Sequence, residues 1–171
     1  PVLMKVAISY TSVENARRNL KVELPHWRFN EVVAASQSHW NRLLSRIKVE
    51  GGTDGQKEKL YTDLWRTLLG RRIVSDVNGA YRDMTGAEPK IRHVPKNEQG
   101  EPAFAMRNHD AWWGSHWSLN ILWPLLAPEH YSDFCKTAVE MYENGGFLPR
   151  GPSGGNYTFV MIGAHEAPFI T

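Results

Sequence analysis

One cysteine, Cys135, stands in 171 residues, which excludes an internal disulfide and a thiolate metal cage. Long apolar runs are also missing, so no membrane-spanning segment is expected, and no signal peptide is visible at the start. Neither sign of charge dominates: 20 basic residues are interspersed with 18 acidic ones for a net +2. That pattern gives a solvated surface and predicts no nucleic-acid or membrane partner. The acidic residues offer no convincing pair for acid–base chemistry, and no repeat of fixed period is present. An initiator Met is lacking too. The chain opens on Pro1-Val-Leu-Met-Lys-Val-Ala-Ile-Ser-Tyr10 and stops at Thr171 without a polar tail, and is expected to be an internal fragment.

The chain is 42% apolar and 22% charged, the balance of one soluble globular domain. Aromatic residues reach 11%, and each such ring brings a large area to bury or to present to a ligand. Residues 109 to 158 concentrate this material: four of the seven tryptophans, two apolar helical patterns and the loop Gly151-Pro-Ser-Gly-Gly-Asn-Tyr-Thr158. Polar groups and flat rings converge there, as a binding site requires.

In order along the chain, Val2, Met4, Val6 and Ile8 alternate with Lys5 and Ser9, which predicts a strand with one buried face. Thr11-Ser-Val-Glu14 has capping-box spacing for a helix ending near Leu24, before Pro25. Asn30 is placed to cap a second helix whose register Val33, Trp40 and Leu44 mark, and Ile47-Lys-Val49 reads as a short strand. Thr53-Asp-Gly-Gln56 is another capping box, opening an amphipathic helix with Leu60, Leu64 and Leu68 beside Tyr61 and Trp65, closed near Gly70. Ile73 to Val77, the hairpin signal Asn78-Gly79 and a stretch with Pro89, Pro95 and Pro102 predict a β excursion between helices. From Asp110 a helix carries Trp113, Trp117 and Ile121 on one face, ended or kinked by Pro124. The next helix starts at Pro128 and Glu129, stops at Asn144-Gly145-Gly146 and buries Tyr131, Phe134, Cys135, Ala138, Val139 and Tyr142. The two form an antiparallel helical hairpin.

Several ordered pieces resemble glycoside hydrolase family 92, the exo-acting α-mannosidases. They are Lys5 to Val13 with Ala16-Arg17-Arg18-Asn19-Leu20, then Val49-Glu-Gly-Gly-Thr53 with Leu60 to Arg66. Ser75-Asp-Val-Asn-Gly-Ala-Tyr-Arg82, Gly145-Gly-Phe-Leu-Pro-Arg150 and Gly155-Asn156 follow, with Met161, Gly163, His165 and Pro168. No single piece is specific; the ordered series is. The resemblance implies a mainly α fold with a few β-strands, part of an (α/α)6 helical barrel preceded by the last strand of an N-terminal β-sandwich. It divides the chain into a terminal sandwich strand, residues 1–10, linker helices and a short strand, 11–52, and the first part of the catalytic barrel, 53–171. It further implies calcium-dependent, inverting hydrolysis of a mannoside glycan by an enzyme that is secreted, periplasmic or at the cell surface. Inversion needs a carboxylic acid on one side of the glycosidic bond and a carboxylate activating water on the other. The family's acid and base lie beyond the matched stretch, so no catalytic residue and no calcium ligand is expected in this chain.

What remains is substrate positioning. Arg150 can donate a fork of hydrogen bonds to sugar hydroxyls, and the resemblance gives the matching Arg that role; otherwise it tethers its loop to a carboxylate. Trp113 occupies the Trp of the family's Trp-Asp-Thr-aromatic-Arg motif, where its ring would meet a sugar face, although a Trp at helical spacing also serves a core. The rest of that motif departs: Gly114 replaces Asp, and Ser115-His116-Trp117 replaces Thr-aromatic-Arg. Tyr157 stands where many members carry Glu. Asn156 and His165 match family positions, with a turn amide and a packed core imidazole as their plainer readings. The site set is therefore Trp113, Gly114, Trp117, Arg150, Asn156 and His165. His109 and His116, seven apart without a third ligand, support no metal site, and Asp110 reads as a helix cap. Two rivals stand beside the mannosidase reading. One is a member rebuilt for another glycan or a mannose phosphodiester, to which Gly114 and Tyr157 point. The other is a non-catalytic carbohydrate-binding module whose partner is another subunit or the rest of its own barrel.

Overall fold

The computed structural model describes residues 2–108, 112–152, 157–158 and 162–171. It is mainly helical with one two-stranded hairpin: α1 Val13–Glu23, α2 Phe29–Leu44, α3 Asp54–Thr67, β1 Ala80–Asp83, β2 Lys90–His93, α4 Trp112–Ser115, α5 Leu119–Leu126, α6 Pro128–Gly145 and α7 Ala167–Ile170. The Thr53 box is present, its side chain accepting from the Gln56 amide while Gln56 reaches back to the Thr53 N–H. Helix α6 begins with Pro128 and ends at Gly146, whose left-handed backbone (φ 81°) closes the last turn. Only a residue without Cβ adopts that conformation at no steric cost.

The predicted strand at residues 2–10 does not form among the described residues. Val2, Met4, Val6 and Ile8 are 65–96% exposed, while Lys5, Ala7 and Ser9 are the half-buried ones. The alternation is real, but the polar face is the one held. Lys5 Nζ donates to the Leu24 carbonyl at 2.6 Å and lies 4.5 Å from the centre of the Trp27 ring. Ser9 Oγ donates to Asp76 at 2.9 Å. Among the described residues no strand pairs with the segment, and an unpaired strand has no stability of its own.

Asp76 explains a second departure. It is 5% exposed and accepts from Ser9, from Thr11 and, at 2.7 Å, from Asn19 Nδ2. Thr11 is thereby withdrawn from capping, and Ser12 caps α1 instead, accepting from the Asn15 amide at 3.0 Å. Likewise Asn30 does not cap α2, which begins at Phe29 with Arg28, two residues before Asn30, at the cap position and no side-chain cap. Residues 47–49 form no strand; the Ile47 carbonyl accepts from Tyr61 Oη at 2.9 Å.

Asn78-Gly79 makes a turn, with the Gly79 N–H donating to the Asp76 carbonyl, but it precedes the hairpin rather than closing it. Strands β1 and β2 pair antiparallel from Ala80 opposite His93 to Asp83 opposite Lys90. The residues that connect them, 84–89, supply the reversal. Between Ile73 and Val77 the β pairing among the described residues is an isolated bridge from Ile73 to Arg107.

The expected helix from residue 110 is broken into α4 and α5. Gly114 weakens any helix interior by about 1 kcal/mol relative to Ala. Ser115 Oγ donates to the Trp112 carbonyl at 3.1 Å, competing with the backbone pattern. Helix α5 restarts at Leu119 and accommodates Pro124 within it. Helix α5 packs on α6: Trp123 stacks on Phe134 with ring centres 5.2 Å apart and planes 13° from parallel. Trp112, Ala138 and Phe169 complete that core, and Tyr81, Val94 and Met106 form a second, smaller one. Tyr81 joins the two regions by donating to Glu140 and accepting from Asn144, each at 2.7 Å, on α6. Helix α2 is drawn in by Arg46, whose guanidinium forks onto Glu129 and also donates to the Leu126 carbonyl. The hydrogen bonds from Arg46 hold the Glu129 carboxyl down at about 2, although so exposed a pair adds little stability.

The Asp76 knot carries more. Asp76→Ala leaves three donors without their acceptor, and is expected to cost about 3 kcal/mol in urea unfolding. Thr53→Ala, which removes one cap, is expected to cost about 1 kcal/mol.

Candidate functional site

The break between α4 and α5 decides which rings face outward. Trp112 turns into the core at 2% exposure, whereas Trp113 is 42% and Trp117 70% exposed. The chain before α7 brings His165 against them. Trp113 meets Trp117 edge to face at 6.0 Å between ring centres and His165 at 6.1 Å. His116 lies 5.9 Å from Trp117 and 4.7 Å from His165. Of the six residues expected to form the site, Trp113, Trp117 and His165 thus share one cluster, and Gly114 is on the same turn. His165 is half-buried and not a core imidazole. A Cβ built on Gly114 would meet nothing within 4 Å, so no packing demand selects glycine there.

Arg150 follows α6. Its backbone carbonyl accepts from the Trp112 amide at 3.3 Å, tying the loop to α4. Its Nε donates to Thr158 Oγ1 at 3.2 Å, and that buried hydroxyl donates in turn to the Leu148 carbonyl at 3.1 Å. Among the described residues no carboxylate lies within salt-bridge distance of the guanidinium and its terminal nitrogens make no hydrogen bond. The tether is therefore a threonine, not a carboxylate, and the fork remains available. Asn156 lies outside the described residues, as do His109 and Asp110.

Tyr157 belongs to the framework. It is 6% exposed, its hydroxyl accepts from the Phe147 amide at 2.7 Å and donates to the Phe147 carbonyl, and burial raises its pKa. Its ring lies so close to Gly145 that a Cβ there would come within 2.7 Å of the ring and of Thr85.

Two residues escaped the sequence reading. His116 was weighed only against His109, because its contact with His165 spans 49 positions (165 − 116) and leaves no local signal. Glu166, next to His165, is 5% exposed, and its Oε2 has no hydrogen-bond partner. Burial raises its pKa, while its own backbone hydrogen bond, Arg150 and His165 pull the other way. The other buried acids are committed: Asp76 to its three donors, and Asp83 to Thr85 and Arg92. Asp133 is held by Arg107. No acid–base pair emerges among the described residues. Nor do these residues fit a calcium ion, which takes six to eight oxygen ligands: none of their groups of three or more His, Cys, Asp or Glu is arranged to hold a metal. No helix among them is long and apolar enough to cross a membrane.

Compared with known proteins, residues 15–171 match the glycosyl hydrolase family 92 catalytic domain. The fold is similar to that of a family GH92 α-mannosidase from Bacteroides thetaiotaomicron, at 24% identity and a TM-score of 0.81, covering 94% of this chain and 20% of that one. The same enzyme in complex with mannoimidazole gives a TM-score of 0.80. A GH92 family glycosyl hydrolase, ccman5, gives 0.67 at 20% identity, covering 95% and 21% of the two chains. No curated protein matches. The chain spans about a fifth of the length of the solved structures it resembles.

The raised Glu166 pKa sets a pH dependence. A carboxyl whose folded pKa exceeds its unfolded one stabilises the fold below the unfolded value, near 4.3, and loses that contribution as pH rises through the folded value. Glu166→Gln, which keeps the shape of the protonated acid, is expected to match the parent chain near pH 4 and to exceed it in denaturation midpoint at pH 7. Equal midpoints at both pH values would contradict the shift.

Proposed function

Because the chain belongs to glycosyl hydrolase family 92, we propose that it is part of an inverting, calcium-dependent exo-α-mannosidase and supplies one wall of its sugar pocket. The observation that carries this reading is that Arg150, whose terminal nitrogens make no hydrogen bond among the described residues, is tied through its backbone to α4, the helix that carries the exposed Trp113 ring, in a chain of this family. In this reading the Trp113 ring packs against the apolar face of a mannoside while the Arg150 terminal nitrogens donate to its hydroxyls. Trp117, His165 and Asn156 border the same pocket. Residues 1–10 serve as the last strand of a preceding β-sandwich, 11–52 as linker, and 53–171 as the first part of an (α/α)6 barrel. The exposed apolar residues Ile121 and Leu125 on α5 then face further barrel helices. The acid, the base and the calcium ligands stand on segments other than the described residues, and this chain's part is to bind and orient.

A second reading, a member rebuilt for another glycan, is favoured by Gly114, which leaves an open space where a carboxylate would bind hydroxyls. Among the described residues nothing lies within 4 Å of a Cβ built on Gly114.

The isolated chain is expected to show no hydrolysis of aryl α-mannosides with or without calcium; calcium-dependent turnover above the blank would overturn the assignment. In an intact enzyme carrying this segment, Arg150→Ala is expected to lower kcat/KM for an α-mannoside by about 100-fold, the loss of roughly 2–3 kcal/mol of charged hydrogen bonding. If Gly114→Asp raises activity on α-mannosides, the rebuilt-pocket reading holds; an unchanged substrate panel removes it.

A further inference from the structure

His116 and His165 come from different segments, one at the break after α4 and one just before α7, yet their rings are 4.7 Å apart at an interplanar angle of 36°. Both are half-buried, so each ring is partly open to solvent. The His116 backbone is held, its amide donating to the Trp112 carbonyl at 3.0 Å, and His165 directly precedes Glu166, the N-cap of α7. A Cβ on Gly163 would fall 2.8 Å from His165 Nε2; glycine keeps the flank of that nitrogen clear.

Imidazole nitrogens bind divalent transition ions at about 2.0–2.1 Å, with each ring centre about 1.1 Å behind its nitrogen. Rings whose centres are 4.7 Å apart would subtend roughly 95° at an ion toward which each turned one nitrogen. That is nearer the cis angle of a tetragonal site than the tetrahedral angle of structural zinc, and nitrogen ligands in tetragonal geometry select Cu(II) or Ni(II). We infer that His116 and His165 form a two-imidazole chelate for a tetragonal divalent transition ion, with its remaining positions filled by water. Trp113 and Trp117 shield one side of the pair. The site uses no carboxylate, so it is chemically separate from calcium, which takes hard oxygen ligands. It also stands independently of the mannosidase reading, because it needs only these two rings.

The test is Cu2+ binding to the full chain near neutral pH, followed by electron paramagnetic resonance at one equivalent and by calorimetry. The expected spectrum shows two equatorial imidazole nitrogens. His116→Gln and His165→Gln are each expected to reduce the pattern to one nitrogen and weaken Cu2+ binding by about tenfold or more. His93→Gln, on the exposed end of β2, is expected to leave both unchanged. Metal-free thermal unfolding of each variant establishes that the fold is kept, and the double variant serves if one single variant is unstable. A single-nitrogen spectrum in the parent chain, or equal affinity in the parent and both single variants, would overturn the assignment. So would an equal loss with His93→Gln.

Discussion

The stack of Trp123 on Phe134 is the contact on which the rest of the structure depends. It packs α5 on α6, and Trp112 and Phe169, themselves 4.2 Å apart, close on it together, Trp112 lying 6.2 Å from Phe134 and Phe169 6.2 Å from Trp123. These four rings come from α4, α5, α6 and α7, so one core joins three consecutive helices to α7. Fully buried aromatic rings are worth several kcal/mol each when truncated, far more than any exposed ion pair here. The candidate site inherits its geometry from this core: Trp113 faces outward because its neighbour Trp112 is held inward. Arg150 is positioned because its carbonyl is hydrogen-bonded to the Trp112 amide.

Much of this was legible in the sequence where one local cause decides. The Thr53 box, the Pro128 start and the Gly146 stop each rest on a few adjacent residues, and each forms as read. The helical hairpin followed from apolar spacing, and the ordered series of family-like pieces identified the family that the chain belongs to. Illegible features share a different origin. Alternation alone does not say which face of the extended segment is held within this chain. Asp76, 67 residues from Ser9, decided it in favour of the polar side. Thr11 lost its capping role to the same carboxylate. The break at Gly114 and Ser115 was masked by tryptophan spacing that continues helical periodicity across it, and the competing hydroxyl is visible only in three dimensions.

The site shows the same division. Trp113, Trp117 and His165 were named separately from motif positions, and the structure gathers them in one cluster. It also adds His116 and Glu166, whose significance is purely tertiary. A buried acid beside an arginine leaves no periodic or compositional trace, and a contact across 49 residues leaves none in any window of sequence.

The double hydrogen bond between Tyr157 and Phe147 fixes where the chain after α6 returns. Its two anchor points are ten residues apart, so the entropy of closing that loop is spent during folding, and spent once. A ligand that meets Arg150 therefore finds its partner already confined and need not order it. The same tie makes the segment's length a fixed quantity. A residue inserted or removed between Phe147 and Tyr157 would have to be absorbed as slack or strain between two immovable ends, and Arg150, the third residue along, would be displaced with it.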